Sequence, residues 1–223
     1  MISTKIILAL IALSFLIYFL LSWVYKRLGV TNLQQALLVR NGLRLLNLKH
    51  SLGIALFGIL FYLLIPELRY LIQIIEVPKL YVLIPFIVLL FSAAYVSHIS
   101  IQNHVLKEIV ISDYKITEAW FYFLIRFTFL FAYEFFFRGI LLYTLLTFES
   151  LTTAIAFSTF AYLIIHIFDS KKEIIGTIPF GIILCVITYL TNSIWYAFLL
   201  HLALSAVYEI SIFYYQTLKT KRL

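Results

Sequence analysis

Charge is what this sequence has least of. Only 12% of its 223 residues are Asp, Glu, Lys or Arg, about half the share found in soluble domains, which excludes an ordinary water-soluble globular fold. The single cysteine, Cys185, rules out an internal disulfide; it lies in an apolar run without metal-type spacing and reads as a packing residue. Strict apolar–polar alternation is missing too, which sets aside a membrane β-barrel. No repeat, low-complexity segment or linker divides the chain, so one structural domain is expected. Nor is there a basic domain to hold nucleic acid. The formal charge of +7 comes largely from one loop and the C-terminal tail, where membrane topology accounts for it.

What the chain has in excess is continuous apolar sequence: 64% of residues are hydrophobic and 18% aromatic. The expected fold is all-α, a polytopic integral membrane protein of about seven transmembrane helices, with membrane lipid as its first partner. Spans are expected at Ile6–Val24, from Leu52 onward, Leu80–Val96, Ala119–Phe148, Leu151–Phe168, Ile174–Leu190 and Ile194–Tyr215. The first is too long for a signal-peptide core and no small-residue cleavage site follows, so it reads as a retained anchor. The second is only fourteen residues long before Pro66, so its helix either kinks there and continues or stops. The thirty residues from Ala119 to Phe148 imply a helix of about 45 Å, which needs a strong tilt or a bend to fit a hydrocarbon core of about 30 Å.

Tyr25–Ser51 carries Lys26, Arg27, Arg40, Arg44 and Lys49 without an acidic residue, which marks it as cytoplasmic. It reads either as a surface helix or as a partly helical connector. Leu33 and Leu37 share a helix face, but Arg40 and Arg44 fall on that same face. Alternating spans then put the N-terminus outside and the tail, with Lys219, Lys221 and Arg222, inside. Ser97–Glu118 reads as a solvated loop, whose His98 and His104 are too far round a helix to form a metal pair. In outline, residues 1–118 are N-terminal helices and loops, 119–215 form the helical core, and 216–223 are a basic tail.

Function has to come from the few polar side chains in the last four spans, since intramembrane ionisable residues are expensive to keep. Glu134 and Arg138 stand at i and i+4 with the acid first, so they share a helix face. His166 ends the fifth span, with Asp169 three residues on to fix its tautomer. His201, Ser205 and Glu209 form one stripe on the last span. Counting about 1.5 Å per residue from the presumed external ends puts Glu134, His166 and Glu209 at about 21–22 Å, Ser205 at about 17 Å and His201 at about 11 Å. A common polar cavity in the C-terminal half is therefore expected. It suits either a carboxylate base with histidines at an oxyanion, or a metal held by Glu and His that activates water. The sequence specifies neither cofactor nor metal.

The order of these residues resembles the CPBP (Abi) family of type II CAAX-processing endopeptidases and bacteriocin-processing membrane proteins. The resemblance rests on Glu134-x-x-x-Arg138-Gly139, Tyr162-x-x-x-His166, and Thr191-Asn192-Ser193-Ile194-Trp195 leading to His201, over roughly residues 119–210. It implies that Glu134, Arg138, His166 and His201 form the site, with Tyr133, Tyr162 and Ser205 around the substrate; Glu209 is added to these on its depth alone, without a family counterpart. It also implies that Tyr133 occupies the position of the family's first glutamate, generally assigned as the base, and that Ser205 occupies that of an Asn or Asp. A phenol of reference pKa about 10 cannot act as that base near neutrality. Three readings follow. One is an intramembrane endopeptidase for a membrane-proximal or lipidated peptide, with Glu134 or Glu209 as base. Another is a degenerate homologue serving as a membrane partner or scaffold. The last is a transporter, against which stand the one-sided polar cluster and the lack of an inverted repeat. A bacterial plasma membrane is the expected location.

Overall fold

The computed structural model describes residues 3–102 and 116–215. Among them, seven helices are long and apolar enough to cross a membrane: Thr4–Arg27, Gly42–Leu64, Leu80–Ile101, Glu118–Leu145, Leu151–Phe168, Glu173–Thr191 and Ile194–Phe213. The chain is an all-α polytopic membrane protein. His104, Lys107, Glu108, Asp113 and Lys115 of the expected loop, and the three basic residues of the tail, lie outside the described residues.

The second span differs from its expected bounds. It begins at Gly42, ten positions before Leu52, and ends at Leu64, so it is 23 residues long and reaches across without passing Pro66. The extra turns carry Arg44, Lys49 and His50. Lys49 and His50 are buried, facing protein rather than lipid, which is why hydropathy did not reveal them. What remains of the expected basic loop is Leu28–Asn41, holding a short helix at Leu33–Leu38 whose Leu33, Ala36 and Leu37 are buried. Pro66 opens a 3₁₀ turn, Pro66–Leu68, so the helix stops there. The third span also runs longer than expected, through Ser97 to Gln102.

The fourth span resolves its length problem by changing helix type. It is α-helical as far as Glu134, π-helical over Phe135–Leu141, and α-helical again over Leu142–Leu145. A π turn holds more residues than an α turn and re-aims the side chains around it. Every residue of Phe135–Leu141 is buried, and the Ser158 hydroxyl donates to the Phe137 carbonyl at 3.0 Å, giving that wide turn an extra partner. The second span has its own π turn, Ile54–Ile59. The two meet: Phe57 stacks on Phe136 with centroids 4.2 Å apart, and Gly58 lies against Ala132, where a side chain would clash. Small residues at such a crossing let helices approach without water to drive them together.

The Thr191–Trp195 turn aims the last span. Asn192 takes a left-handed conformation, φ 49°, and ends the sixth span. Tyr143 donates to its side-chain oxygen at 3.0 Å. Ser193 caps the seventh span and also donates to the Ile74 carbonyl at 2.7 Å, while the Trp195 indole N–H reaches the Ile72 carbonyl at 2.7 Å. These bonds tie the start of the seventh helix to the 72–76 connection.

Candidate functional site

The fourth and seventh spans run antiparallel and are joined by two polar rungs. In one, Glu134 Oε1 accepts from His201 Nδ1–H at 2.5 Å. In the other, Glu209 Oε1 accepts from Arg126 Nε–H at 2.8 Å, and its Oε2 accepts from the Tyr122 hydroxyl at 2.7 Å. The rungs are eight positions apart on each helix, about 12 Å along the axis.

The Glu134 rung is the one the motifs single out. Glu134 and Arg138 have no exposed surface. Arg138 Nη1 stands 3.2 Å from Glu134 Oε2, within ion-pair reach. Its guanidinium carbon lies 4.2 Å from the centre of the Tyr162 ring, a cation–π contact of the kind that gains strength when desolvated. Even so, Arg138 Nε and Nη2 and Glu134 Oε2 have no hydrogen-bond partner among the described residues. Polar atoms unpaired at this depth are costly.

His166 lies at the end of the fifth helix, in the 3₁₀ turn His166–Phe168. Its Nδ1–H donates to Asp169 Oδ2 at 2.6 Å, as the spacing suggested, which turns Nε2 away from Asp169. The Tyr133 hydroxyl is 3.4 Å from that Nε2. Tyr133 is buried, with its ring centre 6.3 Å from His166, 6.1 Å from His201 and 5.8 Å from Tyr162. Phe137 closes the other side at 4.6 Å. The residue at the expected base position is thus an aromatic ring that packs near both histidines.

Three expectations need adjusting. Glu209 does not join this cluster; both its oxygens are engaged by Arg126 and Tyr122. Ser205 is partly buried one turn beyond His201 and takes no part in the Glu134 contacts. His201 is level with Glu134, although counting from helix ends put it about 10 Å shallower; that count ignores tilt and the π turn. Among the described residues, no group of three His, Cys, Asp or Glu side chains is placed to hold a metal ion, so no metal-dependent step is derived.

Sequence reasoning also missed the contribution of the N-terminal half. The first span buries a polar stripe of Ser14, Tyr18, Ser22 and Tyr25, and Lys49 points toward the Tyr18 and Tyr25 rings. Lys26 donates to the Phe168 carbonyl at 3.1 Å, fixing the turn that holds His166. The i, i+4, i+8 and i+11 spacing of the stripe was the available signal.

Fold and site together define a helical membrane protein with a cluster of polar residues inside its C-terminal helices. Residues 115–207 match the family model described as type II CAAX prenyl endopeptidase Rce1-like. Over that segment the resemblance drawn from the motifs is borne out. No curated protein and no solved structure matches the chain. Glu134, Arg138, His166 and His201 all fall within the matched segment; Lys49 and Glu209 fall outside it.

Proposed function

We propose that this protein binds a membrane-proximal or lipidated peptide at the Glu134–His201–His166 site, in a bacterial plasma membrane, without hydrolysing it. The observation that carries this reading is Tyr133. Its ring centre lies 6.3 Å from His166 and 6.1 Å from His201, and its hydroxyl is 3.4 Å from His166 Nε2, where the resemblance calls for a water-activating carboxylate. Glu134 is a poor substitute, since it is fully buried and already engaged by His201 and Arg138. The lipidated character of the ligand is supported by an apolar crevice of about 420 Å³ between the first, fourth and fifth spans, walled by Phe15, Leu141, Leu145, Phe157, Phe160 and Ile164.

A second reading keeps the enzyme. The 2.5 Å Glu134–His201 bond pairs a carboxylate with an imidazole, and such a pair is capable of general acid–base chemistry. The two readings separate in one experiment. Wild-type protein and His166→Ala, purified and placed in lipid bilayers, are offered a panel of lipidated peptides, with binding and cleavage followed in parallel. The binding reading expects saturable binding by the wild type and no product from either protein. Product from the wild type that disappears in His166→Ala establishes the peptidase instead.

A further inference from the structure

We infer that Lys49, outside the segment matched to the peptidase family, holds the C-terminal carboxylate of the bound peptide beside the His166–Asp169 turn. This rests on the peptide-binding reading above and deepens it. Lys49 has only 9% of its surface exposed. Among the described residues its ammonium has no hydrogen-bond acceptor and no carboxylate at ion-pair distance; its close neighbours are the Tyr18 and Tyr25 rings, each centred 6.0 Å away.

The charges that face it are accounted for. Asp169 is within electrostatic range, but its carboxylate accepts from His166 at 2.6 Å. Arg126 is also in range and is bound to Glu209 at 2.8 Å. His50, the next residue, stacks on Phe129 with centroids 4.9 Å apart, and its Nδ1 has no partner. Ser22 lies one turn from both Tyr18 and Tyr25 on the same stripe, and its buried hydroxyl is within reach of the Tyr18 hydroxyl.

An ammonium largely withdrawn from water without an acceptor is unfavourable. The Lys49 ammonium and the neighbouring His50 Nδ1 are left without partners, and a carboxylate would give the ammonium its acceptor. A lysine this close to a helix end ordinarily extends its chain outward to the headgroups. Lys49 instead turns inward between two tyrosines on the first span. That favours a group carried into the bundle over a lipid phosphate at the surface. A single ammonium also matches one carboxylate, whereas phosphate recognition favours the forked guanidinium of arginine.

The test uses the full chain in bilayers with a dodecanoylated tetraleucine probe, as the free acid and as the C-terminal amide. Wild-type protein is expected to bind the acid roughly tenfold to a hundredfold tighter than the amide, the size of a charge-assisted contact. Lys49→Met is expected to bind both with the affinity of the amide, and to melt at or above the wild-type temperature because it removes a stranded charge. Equal binding of acid and amide by the wild type overturns the assignment to Lys49 while leaving peptide binding intact. The assignment also fails if Lys49→Met keeps the preference, if it melts well below wild type, as loss of a structural ion pair would cause, or if affinity tracks the anionic lipid content of the bilayer instead of the probe's terminus. Failure of both probes to bind overturns the peptide reading and the Lys49 assignment with it.

Discussion

The two rungs between the fourth and seventh spans use the same chemical parts to opposite effect. At Glu209 both carboxylate oxygens are satisfied, one by Arg126 at 2.8 Å and one by Tyr122 at 2.7 Å. At Glu134 one oxygen receives His201 and the other has only the loose Arg138 contact at 3.2 Å, with two guanidinium nitrogens left over. A saturated rung is a clasp that holds two helices in register. An unsaturated rung is less effective as a clasp, so a role beyond packing has to explain its presence. Of the two carboxylates Glu134 is the one with an oxygen to spare, since both Glu209 oxygens are bonded.

This difference can be broken in stages. The largest expected effect is at the clasp. Glu209→Ala strands the Arg126 guanidinium, and removing one partner of a buried pair costs about 3–5 kcal/mol. The side chains there retain 16% and 11% exposure, so the lower end, about 3 kcal/mol, is expected in equilibrium unfolding in detergent. Replacing the whole Glu134 rung is expected to cost less. A double Glu134→Leu, Arg138→Leu variant stays within about 2 kcal/mol of wild type, since well-packed apolar residues often match a buried pair, yet it loses peptide binding. If both rungs prove equally costly to replace, the distinction between clasp and site fails. A smaller loss, about 1 kcal/mol, is expected for Ser158→Ala, which frees the Phe137 carbonyl in the π turn that re-aims Glu134 and Arg138. The same unfolding measurement checks it, and peptide affinity is expected to fall alongside.

Much of this arrangement was legible in the sequence. Seven apolar runs gave seven spans, and the i, i+4 relation of Glu134 to Arg138 survived intact. The matching eight-residue spacings, Arg126 to Glu134 and His201 to Glu209, already held the two antiparallel rungs. They could be paired only once the helices were known to be neighbours. The start of the second span was not legible, because Lys49 and His50 are tolerated by packing against aromatic rings, a tertiary fact that hydropathy does not register. The π turn was equally hidden. It has no composition of its own, and it is one reason that depth counted along an ideal helix misplaced His201. The part played by Tyr133 was only half visible: the resemblance marked it as the missing base, and the structure puts its ring near both histidines and its hydroxyl 3.4 Å from His166 Nε2.

The measurement that bears most directly on the central claim is hydrolysis of lipidated peptides by Tyr133→Glu beside the wild type, read by mass spectrometry of the products. If Tyr133 is what silences the site, the variant releases product at a rate above background while the wild type releases none. Product from the wild type, undiminished or reduced by Tyr133→Glu, would contradict that claim and make Glu134 the base of a working peptidase.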